Sequence, residues 1–163
     1  MNGFTVLLTG LPSAEKTTLA CALAKELQSL HGRKITVMDG DEQRRLLSSE
    51  LGFTREHRRL NVLRHAYVAS ELCRHRAAVI CALIAPYAAD RREMRSLIET
   101  TGDFYEIHLC TPLAVCEQRD PKRLYAQARA GELTRVTGID APYETPGMTA
   151  PGRAGREQDA SHT

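Results

Sequence analysis

The sequence predicts an α/β protein, a three-layer α/β/α arrangement around a mainly parallel sheet. Three observations lead there. Short apolar, β-rich runs alternate with segments of helical periodicity. The first run, Phe4–Thr9 (FTVLLT), is apolar almost throughout, the pattern of a strand covered on both faces. Glycines and charged residues collect directly after the runs, where parallel sheets hold their ligands.

Phe4–Thr9 opens the chain as a strand and is followed by a glycine-bounded turn. Thr17–His31 carries Leu19, Ala20, Leu23, Ala24 and Leu27 at helical spacing, with Gly32 as the stop. Ile35–Met38 reads as a second strand, Ala78–Ile84 as a third and Tyr105–Cys110 as a fourth. Helices are predicted over about Glu42–Leu51, Arg55–His75 and Ala89–Thr100. Strand–helix alternation of this kind needs crossover connections, which make neighbouring strands parallel.

The 163 residues suffice for one domain, with 42% hydrophobic and 26% charged residues, the balance of an ordinary globular chain. Residues 1–146 are read as that domain; 147–163, small, polar and aperiodic, as a disordered tail. No apolar run is long enough to span a bilayer and the first residues lack a basic leader, so a membrane role is not expected. The five cysteines form no CxxC pair and read as buried core residues in a reducing, cytoplasmic compartment. A net charge of +2 argues against binding nucleic acid by general electrostatics. The 22 basic residues comprise 18 arginines and 4 lysines. Arginine's planar fork suits anionic ligands, although a GC-rich genome would produce the same bias.

The first strand–helix junction reads Gly10-Leu11-Pro12-Ser13-Ala14-Glu15-Lys16-Thr17. This is the context of a phosphate-binding P-loop, GxxxxGK[ST], with Gly10, Lys16 and Thr17 in place and Glu15 where the second glycine belongs. In such a loop successive amides, through residues such as Ser13, Ala14, Glu15 and Thr18, face the phosphates. Lys16 reaches the β/γ-phosphates and the Thr17 hydroxyl holds Mg²⁺. A side chain at position 15 meets two objections. The backbone there favours glycine. A carboxylate also repels a triphosphate, by about 1 kcal/mol in water and about 4 at an effective dielectric of about 20 for charges about 4 Å apart.

Further motifs follow in order: Val37-Met38-Asp39-Gly40-Asp41 with Arg44; Leu51-Gly52-Phe53 with Arg58 and Asn61; Ile84-Ala85-Pro86-Tyr87; Cys116-Glu117-Gln118-Arg119-Asp120-Pro121-Lys122 with Leu124 and Tyr125; and Thr137-Gly138-Ile139-Asp140. As an ordered set over about residues 4–146 they resemble the adenylylsulfate kinase (APS kinase) family. The resemblance implies a P-loop fold with a mobile lid at about 118–140. It also implies phosphorylation of the 3′-hydroxyl of adenosine 5′-phosphosulfate by MgATP, as part of sulfate activation.

Carried over by position, Lys16, Asp39 and Asp41 are the catalytic candidates, with Asp41 orienting the acceptor hydroxyl or taking its proton and Asp39 joining Thr17 at Mg²⁺. Two carboxylates in a polar turn are the plain alternative. Arg44, Arg58 and Asn61 match positions that hold the phosphosulfate and nucleoside, whereas Arg45, Arg55 and Arg59 have no such match and read as a solvated helix face. Phe53 matches the aromatic that stacks on the substrate adenine; a core phenylalanine is the plain alternative. Ile84, Ala85, Pro86, Tyr87, Lys122 and Leu124 complete the implied substrate contacts, and Arg119 the implied contact with the ATP adenine.

The chain departs from the family pattern at Glu15, at Ala85 (serine in the family), at Val136 (phenylalanine, half of the aromatic clamp on the substrate adenine) and at Arg123 (a lid glycine). His57 takes a position usually acidic, and the family's closing strand and helix have no counterpart after Pro146. Two alternatives therefore stand beside APS phosphorylation: a kinase acting on another nucleotide or small alcohol, and a catalytically impaired homologue with a partner role. The resemblance also implies a homodimer and admits association with ATP sulfurylase.

Overall fold

The computed structural model describes residues 2–147, so the tail assigned to 147–163 lies outside the described residues except for Gly147. The elements are β1 (Phe4–Thr9), α1 (Lys16–His31), β2 (Ile35–Asp39), α2 (Gly40–Leu47), α3 (Arg55–Arg74), β3 (Ala78–Ala82), α4 (Ala88–Ile98), β4 (Asp103–His108), α5 (Leu113–Arg119) and α6 (Leu124–Arg129). The four strands form one parallel sheet in the order β2-β3-β1-β4. All four carboxyl ends therefore share one edge, where the phosphate-loop sequence begins.

Alternation along the central strands divides the core. Leu7, Val79 and Cys81 point to one face and pack with Val62, Ala66 and Ala69 of α3 and Met94 and Ile98 of α4. Val6, Leu8, Ile80 and Ala82 point to the other and pack with Ala20, Leu23, Ala24 and Leu27 of α1. A third, small cluster joins Ala14 of the β1–α1 loop to Cys116, Tyr125 and Val136. Helix ends follow local chemistry. Gly32 takes a left-handed conformation and its amide donates to the Gln28 carbonyl at 2.9 Å, as its place after α1 predicts. Thr54 caps α3 by accepting the His57 amide at 3.2 Å.

Several expectations need correction. Strand β3 ends at Ala82, two residues before the predicted Ile84, and β4 begins at Asp103 instead of Tyr105. Helix α2 begins at Gly40, directly on the end of β2, because Asp39 caps it. Helices α5 and α6 were not among the predicted helices: α5 ends at the start of the expected lid and α6 lies within it, and at 7 and 6 residues they are too short to show periodicity. Of the cysteines, Cys73, Cys81 and Cys116 are buried, but Cys21 and Cys110 are exposed; all five are free thiols. Arg55 is exposed, as expected, but it is not free there: it forms a two-pronged ion pair with buried Asp90, at 2.8 and 2.9 Å. Among the described residues no helix is long and apolar enough to cross a membrane.

Arg91 is the chief buried cation. It meets Glu106 at 2.8 Å and donates to the carbonyls of Ala85 at 2.8 Å and Glu144 at 2.7 Å, tying α4 to β4 and to the segment after Asp140. Removing one partner of such a pair strands the other charge. Arg91→Ala should lower stability by about 3–5 kcal/mol in urea unfolding, whereas a loss below about 1 kcal/mol would show that these contacts are dispensable.

Candidate active site

The site is built on the loop between β1 and α1. Gly10 passes so close to β4 that a Cβ there would lie 2.8 Å from the Leu109 carbonyl oxygen. Ser13 and Glu15 both have positive φ, at 62° and 67°, the backbone turn that points successive amides into one concavity. The first turn of α1 then leaves the amides of Lys16, Thr17 and Thr18 without intrahelical acceptors, at the positive end of the helix dipole. The Lys16 ammonium folds over the loop and donates to the carbonyls of Gly10 at 3.0 Å and Leu11 at 2.7 Å. Burial lowers its pKa to about 8, against the opposing pull of Asp41 and Asp39. The loop therefore keeps a phosphate-binding shape with glutamate in place of glycine, at a backbone cost of about 1–2 kcal/mol.

Opposite stands the end of β2. One Asp39 oxygen accepts the amides of Asp41 at 3.0 Å and Glu42 at 3.1 Å, capping α2. The other accepts the Thr17 hydroxyl. Partial burial pushes the Asp39 pKa up, but the Thr17 hydroxyl and the two amides outweigh it and hold the carboxyl below its ordinary value. Gly40 lets α2 begin against β3: a Cβ would lie 3.0 Å from the Ala82 carbonyl. Asp41 is exposed in the cleft and forms an ion pair with Lys122.

On the far wall, Arg44 lies over the Phe53 ring, 4.3 Å from its centroid, and donates to the carbonyls of Leu51 and Gly52. Buried Arg58 reaches the same ring at 5.5 Å and donates to the carbonyls of Phe53 at 3.1 Å and Arg135 at 2.5 Å. The two arginines are thus held by the backbone, and Phe53 is half exposed in the cleft, so it is no core residue. Asn61 also lines the cleft, and its buried Oδ1 has no hydrogen-bond partner.

These groups share one cleft of about 250 Å³. Its walls bring together the sequence-predicted Ser13, Glu15, Lys16, Thr17, Asp39, Asp41, Arg44, Phe53, Arg58, Asn61, Ile84, Ala85, Pro86, Lys122 and Leu124. A larger, shallower hollow of about 700 Å³ lies beyond the end of β4, lined by His108, Asp140 and Tyr143 among others; it contains neither Lys16 nor the Asp39–Asp41 carboxylates. The smaller cleft is therefore the candidate site.

Five predicted residues are not on its walls. Gly10 contributes through its carbonyl. Ala14 turns inward to the third cluster and Thr18 faces outward on α1. Tyr87 lies under Arg55, with 3.8 Å from guanidinium to ring centroid. Arg119 stands at the rim, 3.5 Å from the Glu15 carboxylate. Val136, expected beside the substrate, is buried with Ala14 and Tyr125. Ala85 has a positive φ of 42° and is buried, and its carbonyl is fixed by Arg91. Tyr125, absent from the sequence-based site, is buried and donates its hydroxyl to the Pro12 carbonyl at 2.7 Å, fixing the phosphate loop from below. Its place in a run after the charged Arg119–Lys122 segment carries no signal for that contact.

Comparison with known proteins agrees with this geometry. A sequence model of the adenylylsulphate kinase family matches residues 2–150. The chain belongs to that family. It is 51% identical to an adenylyl-sulfate kinase of Synechococcus sp. over 145 residues, covering 89% of this chain and 80% of the relative. It is 50% identical to the sulfate adenylyltransferase of Neurospora crassa, again over 89% of this chain but only 25% of the relative. The chain thus spans about a quarter of the length of the fungal relatives it matches. Among solved structures, an APS kinase of Mycobacterium tuberculosis in complex with AMPPNP and APS superposes with a TM-score of 0.85 at 40% identity, covering 89% of this chain and 84% of the other. The adenylylsulphate kinase fold, a parallel α/β P-loop sheet, is thereby confirmed.

A phosphate-binding role for Lys16 requires its charged form; with its pKa lowered to about 8, that role predicts a MgATP affinity that falls as pH rises above about 8. Phosphate favours the protonated form, so binding near that pH should draw protons from the buffer. Calorimetry in buffers of different ionisation enthalpy reads this uptake; Lys16→Ala should abolish it, and a pH-independent affinity from 7 to about 10 would exclude Lys16 as the phosphate ligand.

Proposed function

We propose that the chain transfers the γ-phosphoryl group of MgATP to the 3′-hydroxyl of adenosine 5′-phosphosulfate, giving ADP and 3′-phosphoadenylylsulfate. One observation carries the reading. A phosphate loop and a second set of ligand groups (Arg44, Phe53, Arg58 and Asn61) open into the same cleft, with Asp41 between them. The M. tuberculosis relative, solved with AMPPNP and APS together, supports the assignment of two nucleotide subsites.

Lys16 and the first amides of α1 bind the triphosphate and neutralise charge on it. Thr17 and Asp39 supply a hydroxyl and a carboxylate side by side, oxygen donors suited to Mg²⁺, which characteristically takes one or two protein oxygens and completes its shell with phosphate and water. When bound, Mg²⁺ offsets the charge that shifts between phosphates. Phe53 offers a ring face to the acceptor base, with Arg44 and Arg58 around it. The unpartnered Asn61 Oδ1 is an acceptor for a base or sugar donor. Asp41 takes the proton as the acceptor oxygen bonds to the γ-phosphorus and the bond from that phosphorus to the β-bridging oxygen breaks, so ADP leaves. That role requires the acceptor hydroxyl to take Lys122's place at Asp41. Residues 118–140 act as the lid: Lys122 reaches the cleft from it, and closure excludes water from the transfer.

Residues 1–146 form the kinase domain of a cytoplasmic homodimer that takes its substrate from a sulfurylase. The N. crassa relative, which bears the name sulfate adenylyltransferase and is much longer, supports that association. One observation favours a second reading. Phe53 is the sole aromatic lining the cleft among the described residues, and Val136 is buried away from it, so a different nucleotide or a small alcohol would also fit.

ADP release from MgATP should depend on adenylylsulfate. Asp41→Asn should lower kcat by about 10²–10⁴ with a smaller change in KM, and Lys16→Ala should remove detectable transfer. ADP release that ignores adenylylsulfate but responds to another acceptor would favour the second reading.

A further inference from the structure

Glu15 brings a carboxylate to the wall of a cleft whose other loop groups serve anions. It is not left alone there. Arg119, the last residue of α5, places its guanidinium 3.5 Å from the Glu15 carboxylate, with both side chains about half exposed. Glu15 is held on its side of the contact by its backbone: it precedes α1 in a left-handed conformation, so its position follows from the loop itself. Arg119 is held on the other side by α5, which packs through Cys116 onto Ala14, the neighbour of Glu15. The two charges therefore face each other between the phosphate loop and the end of α5.

An ion pair this exposed contributes little to folding, because water and salt screen it. Its effect on an anion in the cleft is larger. With Arg119 present, the loop offers Lys16 against a neutralised carboxylate. Without Arg119, the Glu15 charge opposes Lys16 one residue away and repels the triphosphate directly.

We propose that Glu15 and Arg119 act as one unit, in which Arg119 is a positioning and charge-neutralising partner that makes a glutamate-bearing phosphate loop able to bind MgATP. The proposal rests on the phosphate-loop reading given above. In this chain Arg119 acts on nucleotide affinity chiefly through Glu15.

A double-mutant cycle tests it, with MgATP in the absence of acceptor as the probe and calorimetric Kd as the readout. Arg119→Ala should weaken MgATP binding at least tenfold in the native background and no more than about twofold in the Glu15→Gln background, a coupling of about fivefold or more. Glu15→Gly should show the same coupling, since the charge and not the backbone is the cause. Thermal unfolding should be nearly unchanged by Arg119→Ala, which separates this role from a structural one. An equal loss in both backgrounds would overturn the proposal, because Arg119 would then act on the nucleotide by itself. Coupling with Glu15→Gly but not with Glu15→Gln would overturn it too, by assigning the effect to backbone strain. If neither the native chain nor any variant binds MgATP, the phosphate-loop reading fails and the proposal falls with it.

Discussion

The Asp39 carboxylate is the contact on which the site depends. One oxygen closes the first turn of α2 and the other meets the Thr17 hydroxyl on α1. A single side chain thereby joins the end of β2 to the helix that follows β1, although β3 lies between those two strands. Because α2 starts at once, Asp41 is carried on its first turn to a fixed place beside the phosphate loop. Capping an N-terminus with a carboxylate is worth about 1 kcal/mol to a helix. The Thr17 hydroxyl and these same amide bonds also hold the carboxyl below its ordinary pKa, against the opposing effect of partial burial.

The phosphate loop is supported from beneath by the segment that covers it. Tyr125 is buried and its hydroxyl meets the Pro12 carbonyl, while Ala14, Cys116 and Val136 close a small apolar cluster around it. Within that segment two more carboxylates organise the backbone. Asp120 accepts the amides of Tyr125 at 3.2 Å and Ala126 at 2.9 Å, and Asp140 those of Arg135 at 2.6 Å and Val136 at 2.7 Å. Acidic residues that look like ligand groups in a motif are thus occupied in folding their own turns.

Three of the departures from the family pattern share a physical character. Glu15, Ala85 and Arg123 all have positive φ, at 67°, 42° and 57°. Glycine would adopt the Glu15 and Arg123 conformations without the Cβ penalty, so the backbone shape persists although the residue best suited to it is gone. The consequence is an energetic cost and, at Glu15, a misplaced charge.

The strand–helix order was legible from periodicity alone, because each buried strand is an apolar run and α1 ends on a glycine that can turn left-handed. The loop motif and the Asp39–Asp41 pair were legible for a related reason: phosphate chemistry demands particular residues at fixed local spacing. Helices α5 and α6 were not legible, being too short for periodicity and held by Asp120, Tyr125 and the packing beneath them. Nor did local pattern disclose that Arg55 pairs with Asp90, that Val136 is buried or that Arg119 faces Glu15, since those residues come together only when distant segments pack. Sequence determined which groups are available and which backbone turns they favour. Tertiary structure decided which charges meet, because an ion pair depends on distance in space and spacing along the chain does not encode it.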